Sequence, residues 1–416
     1  MKTKGLLKAL GPGILFASTA IGVSHLVQST RAGAGFGFGL IGIVVLANVV
    51  KYPFFEYGSR YANITGKSII SGYRETGKWA LYLYLVITLS SMFFVAAAVG
   101  VVTAGFLDNL FGIGSLRTVT IVLFALCVVI LMIGRYRLLD SLIKVIAAVL
   151  LLSTLLAFVL TLGHGRESTA PLFPEMDWLS NLGFIIALMG WMPTAVDLSA
   201  WNSLWTLERI KQTGYHPELR ETLFDFNMGY IISGVLSLVF VTLGAYLIYG
   251  TGSSMPDGSA AFANSVVGLY TATIGDWSCW IIATAAFSIM FGTCIAVFDG
   301  YARSVDEALL HLRNEVRPDE RKKLYPVTLM ITGIGAFGLI YYMLFFQSNS
   351  AGFKRLVDLA TTISFVIAPV IAALNFYLVM NRRFPRENRP PAWMRALSYF
   401  GILFLFGFSV FYLFAD

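Results

Sequence analysis

Charge is what this sequence has little of. Only 13% of its 416 residues are Asp, Glu, Lys or Arg, against about 25% in soluble domains. Acidic residues are the scarcer kind, 23 against 30 basic. So little charge excludes a disordered regulator and an ordinary water-soluble enzyme. Cysteine is nearly missing as well. The three present, Cys127, Cys279 and Cys294, sit in apolar runs without CxxC or Cys/His spacing, which excludes a disulfide-stapled secreted domain and points to buried packing. No nucleophile motif or metal-hydrolase motif is present, and Thr65-Gly66-Lys67 lacks the preceding glycine spacing of a phosphate loop, so no enzyme is indicated. The net charge of +7 is read by position along the chain rather than as a nucleic-acid surface.

What is there is hydrophobic, 57% of residues, with a mean hydropathy of +0.74. One soluble core cannot hide that excess, and a polytopic membrane protein remains. A bilayer-crossing helix needs about 20 apolar residues. Eleven stretches qualify, at about 10–30, 36–60, 80–107, 116–135, 138–162, 181–205, 224–250, 278–302, 325–347, 353–380 and 396–415. They are numbered here as spans 1 to 11. Residues 263–276 form a helical lead-in outside the bilayer, set off from span 8 by Gly275-Asp276-Trp277. The run following the basic segment Met1–Lys8 is long and lacks a small-residue cleavage site, so it is a first span and not a removable signal.

With the N-terminus inside, 23 of the Lys and Arg residues fall at cytoplasmic ends and five outside, with Lys51 and Lys144 left within spans. That is a strong positive-inside asymmetry, and it agrees with an odd span number. The tetrad Arg137-Leu138-Leu139-Asp140 opens span 5 on the inner side, and Arg355-Leu356-Val357-Asp358 opens span 10 on the outer side. Opposite sidedness of one motif is what a five-plus-five inverted repeat requires. The expectation is a single transporter domain over 1–416, with repeat 1 at about 8–162, repeat 2 at about 180–380 and an extra helix at about 396–415. It is an all-α protein of the plasma (inner) membrane.

In a bilayer, irregular backbone is tolerated where it lines a cavity or is covered by protein, so broken helices point to substrate sites. Span 1 carries Gly11-Pro12-Gly13, then Gly22-Val23-Ser24-His25, then Gln28-Ser29-Thr30-Arg31. Span 6 carries Gly190-Trp191-Met192-Pro193-Thr194 and, further on, Asp197. Each is the first span of its half. Close helix packing at Gly22 and a simple kink at Pro193 are the plainer alternatives.

Gly11-Pro12-Gly13, Ile64-Thr65-Gly66-Lys67 after span 2, Met192-Pro193 and the span lengths resemble the Nramp divalent-metal transporters of the APC superfamily, over residues 8 to about 380. The resemblance implies a leucine-transporter-like fold and an alternating-access carrier holding its substrate at the midplane between spans 1 and 6. It also implies a transported divalent cation such as Mn or Fe and a coupling ion, H or Na, with no resident cofactor. Where the family has Asp-Pro-Gly-Asn, this chain has Gly22-Val23-Ser24-His25, and the family's Met-Pro-His is Met192-Pro193-Thr194. Span 3, where the family places acidic residues, has no carboxylate along Met92–Val99. Hard cations take oxygen ligands, usually with a carboxylate. A neutral set of Met192, His25, Ser24 and carbonyls suits a soft transition metal, or equally a neutral or anionic solute held by hydroxyls and helix N-termini.

Candidate substrate-binding residues are therefore Gly22, Ser24, His25, Met192 and Thr194, with Met192 and His25 as metal ligands. Candidate coupling or gating residues are Asp197, Lys51, Glu56 and Asp299. His25 is a substrate or proton group, or a hydrogen-bonded structural histidine. Asp197 is a coupling carboxylate or a cation ligand, or caps the second half of span 6. Lys51 and Glu56 flank Pro53 and are expected to form a buried pair; Lys144 is expected to snorkel to the inner interface, and Asp299 and Arg303 to make a helical ion pair. Trp191 walls the site or packs. Partners are the lipid bilayer and a small solute or ion, with no nucleic acid. A non-metal carrier of the same fold, for an amino acid or small anion, is the alternative, and a non-transporting membrane sensor is the remote one.

Overall fold

A computed structural model describes residues 8–133, 136–312, 318–346 and 352–415. The chain is 83% helical, and no strand occurs among the described residues. Six of the described helices are long and apolar enough to cross a membrane: Lys78–Phe111, Leu219–Leu247, Asp276–Leu312, Leu324–Phe346, Gly352–Met380 and Ala392–Phe414. Span 2 is also one helix, Ile41–Thr65, and Gly66 ends it with a left-handed φ of 66°. A side chain is strained in that conformation, and this accounts for the glycine in Ile64-Thr65-Gly66-Lys67. Large apolar side chains face outward around the bundle, among them Trp280, Ile334, Leu403 and Phe414, as a lipid-facing surface requires.

Both expected breaks are present. Span 1 is an α-helix over Pro12–Ala20, leaves helical geometry at Ile21, and resumes as a π-helical turn over Ser24–Ser29 before Thr30–Phe36. Span 6 is helical over Leu182–Gly190, irregular through Trp191–Ala195, and helical again over Ser199–Thr213 after a short 3-10 turn at Val196–Leu198. Residues 206–213, beyond the end expected for span 6, thus continue its helix. The lead-in is a separate helix, Ser259–Ile274.

Span 1 packs along span 7, and span 6 along span 2 and span 10. The first contact explains Gly11-Pro12-Gly13. A Cβ on Gly13 would stand 1.9 Å from the Asp225 carbonyl oxygen of span 7, and one on Gly229 would stand 2.0 Å from the Gly13 carbonyl. The same crossing lets the Asp225 carboxylate accept hydrogen bonds from the Gly11 and Gly13 N–H groups at 3.0 and 2.6 Å. Those are amides at the start of a helix, which have no partner within it.

Two expectations are corrected. Cys279 is exposed at the start of span 8, while Cys127 and Cys294 are buried with their sulfurs 3.9 Å apart. The Lys51–Glu56 pair does not form, because five residues on an α-helix turn about 500°, which leaves the two side chains on different faces. Glu56 pairs with Arg60 one turn on, at 2.5 Å. The side chains of Arg137, Asp140 and Lys144 lie outside the described residues.

Candidate functional site

The breaks of spans 1 and 6 meet at one small cleft, closed on its other sides by spans 3 and 8. Thr19 and Ser24 come from span 1, Trp191 and Thr194 from span 6, and Thr293 from span 8; Val95 and Val99 of span 3 form an apolar wall. The Trp191 indole N–H donates to Ser364 of span 10 at 2.8 Å, fixing the ring against the cleft. No ionisable side chain lines this space, and no group of three or more His, Cys, Asp or Glu is placed to hold a metal among the described residues.

Of the expected substrate residues, Ser24 and Thr194 line the cleft and the other three point elsewhere. Gly22 lies against span 8, where a Cβ would stand 2.9 Å from Thr293 Cγ2. His25 is fully buried and turned toward span 7. Its Nε2 donates to the Ser233 carbonyl at 2.8 Å, and its Nδ1 stands 2.7 Å from Ser24 Oγ. Both ring nitrogens are engaged, the arrangement of a hydrogen-bonded structural histidine. Met192 Sδ lies 4.0 Å from Ser29 Oγ, on the span 1 side of the break.

The coupling candidates divide in the same way. Lys51 reaches from span 2 into the break of span 6, with Nζ donating to the carbonyls of Met189 at 2.5 Å, Gly190 at 2.8 Å and Thr194 at 3.5 Å. Asp197 makes no helix cap. Its Oδ2 accepts from Ser91 at 3.4 Å and Tyr301 at 3.3 Å, and its buried Oδ1 has no partner among the described residues. Asp299 is held by Arg303 at 2.7 Å and by the Tyr325 hydroxyl at 2.7 Å. It lies away from the cleft, as does Glu56.

One polar cluster was not anticipated. At the end assigned outside by the charge count, Arg31 of span 1 makes a two-pronged ion pair with Asp358 of span 10, at 2.7 and 3.1 Å, while Gln28 donates to the same carboxylate at 3.1 Å. The guanidinium also stacks over Phe184 of span 6. Arg31 and Asp358 were both visible as charges at outer span ends, but nothing local joins positions so far apart.

The profile of the natural resistance-associated macrophage protein-like (Nramp) family matches residues 13–415. The chain belongs to this family. An uncharacterized protein of Pasteurella multocida (strain Pm70) is 34% identical over 97% of this chain and 92% of its own length. The divalent metal cation transporter MntH of Lacticaseibacillus casei (strain BL23) is 21% identical over 97% of this chain and 88% of its length. Among solved structures, a mutant of the Eremococcus coleocola manganese transporter superposes with a TM-score of 0.75 at 13% identity, covering 98% of this chain and 86% of that one. The fold is the leucine-transporter-like one expected from the sequence. As an Nramp relative the protein is a multi-pass transporter of the inner membrane and not an enzyme.

Proposed function

We propose that this Nramp relative is an alternating-access secondary transporter, with halves at about 8–162 and 180–380 and its substrate held in the cleft between spans 1 and 6. The observation that carries this reading is the meeting of two broken helices at one buried cleft lined by Ser24, Trp191 and Thr194. Breaks expose backbone groups that a passing solute can use, and rocking the halves about them opens one side at a time. The Arg31–Asp358 bridge supports a molecule closed on its outer side.

Kinship with transporters named for divalent metal cations supports such an ion, Mn or Fe, as the cargo. The Ser24 and Thr194 hydroxyls and carbonyls freed by the breaks would then serve as oxygen ligands, a set that suits Mn²⁺. A second reading rests on a specific observation. The cleft itself is lined by no carboxylate, and the ammonium of Lys51 is anchored on the carbonyls of the span 6 break. A positive charge repels a divalent cation and welcomes a neutral or anionic solute, with Ser24 and Thr194 as hydrogen-bonding groups.

Purified protein in liposomes loaded with a metal-sensitive dye separates the two. Saturable influx of Mn²⁺ or Fe²⁺, lost in Thr194→Val, is the outcome expected for a metal carrier. Absence of flux, together with flat calorimetric titrations for both ions, moves the assignment to the non-metal solute.

A further inference from the structure

Where span 6 breaks, its carbonyl oxygens lose the regular i to i+4 helical pairing, although the Met189 oxygen still accepts from the Met192 N–H at 3.3 Å. Three carbonyls there, those of Met189 and Gly190 at the end of the first half and of Thr194 within the break, converge on one point, and that point is occupied by the Nζ of Lys51. An ammonium has three N–H donors and no acceptor, and carbonyls are acceptors only, so three donors meet three acceptors. The side chain is completely buried. The negative end of a helix dipole together with converging carbonyls is the setting in which a transporter backbone coordinates a small monovalent cation. Here the cation is covalently part of span 2.

We propose that Lys51 is a tethered cation: its ammonium permanently fills a carbonyl cage at the break of span 6 that an alkali ion such as Na⁺ would otherwise take. The native protein accordingly binds no alkali ion there, and its conformational cycle does not depend on one. The tether also ties span 2 to span 6, so any movement that separates the halves of span 6 must first release or carry Lys51. This inference concerns the co-ion position and holds whichever solute the cleft carries.

The test uses full-length protein in detergent, with thermal unfolding and equilibrium ²²Na⁺ binding measured in NaCl, KCl and N-methylglucamine chloride at one ionic strength. The native protein is expected to unfold at the same temperature in all three and to bind no ²²Na⁺ saturably. Lys51→Gln, whose amide is one atom shorter, is expected to unfold earlier in N-methylglucamine, to regain stability saturably with Na⁺, and to bind ²²Na⁺. Lys51→Ala, which empties the cage further, is expected to respond at least as strongly. Folded variants with no cation response overturn the proposal. If neither variant folds, the native protein still decides. Indifference to the cation upholds the filled cage, and specific stabilisation by Na⁺ with saturable ²²Na⁺ binding overturns it.

Discussion

Glu56 and Arg60 form an ion pair sealed inside the bundle, their side chains 2% and 7% exposed. Removing one partner leaves the other charge stranded away from water, which costs about 3–5 kcal/mol. Glu56→Gln is expected to lower the thermal midpoint of purified protein sharply, and the double change Glu56→Gln with Arg60→Met to lower it less. If the double variant is the less stable of the two, the stranded-charge account is wrong. Asp225 is a second case. Its carboxylate accepts from two amides at the start of span 1, and hydrogen bonds to charged groups contribute about 1.5–3 kcal/mol each. Asp225→Asn keeps the size but replaces one acceptor oxygen by an NH₂ facing an N–H. A lower unfolding temperature is expected, and an unchanged one would show that the helix start is held by packing alone.

At the scale of elements, close helix crossings are set by residues without side chains. A Cβ at Gly190 would stand 1.9 Å from the Thr361 carbonyl oxygen of span 10, and both are backbone-bound groups that cannot swing aside. Gly190→Ala must therefore push the first half of span 6 off span 10. It should disturb the carbonyl held by Lys51 as well, since Gly190 supplies one of the three. The expected result is loss of a monodisperse peak on size exclusion, or a folded protein with a large drop in thermal midpoint. Gly35, whose added Cβ meets nothing within 4 Å, is the control, and Gly35→Ala should behave as the parent.

For the whole molecule the decisive contact is the Arg31–Asp358 bridge, which joins span 1 to span 10 at the outer end. If it closes that side, Asp358→Asn shifts the population toward outward-open forms. A cysteine placed in the cleft as Ala20→Cys, in a background with exposed Cys279 changed to Ser, should then react faster with an impermeant maleimide added outside. Equal rates with and without Asp358→Asn would remove the bridge from gating. Cys127 and Cys294 are buried and stay in place, and the same background without Ala20→Cys reports any labelling of them.

Local sequence already specified the class of molecule, most of its helices and its two breaks. Hydropathy, charge sorting and the Gly and Pro of spans 1 and 6 act through short-range physics, because each segment must satisfy its own backbone in lipid. Ser24 and Thr194 were legible as cleft residues for that reason, since both sit beside a break. The tertiary structure decided the partners. Lys51 meets Gly190 139 residues away, Gly11 meets Asp225 at 214 and Arg31 meets Asp358 at 327. Helical spacing pairs only residues three or four apart, as it did for Asp299 with Arg303. It left open whether His25 faces the cleft or span 7 and where Lys51 reaches, because helix rotation and side-chain reach are fixed only when neighbouring spans pack.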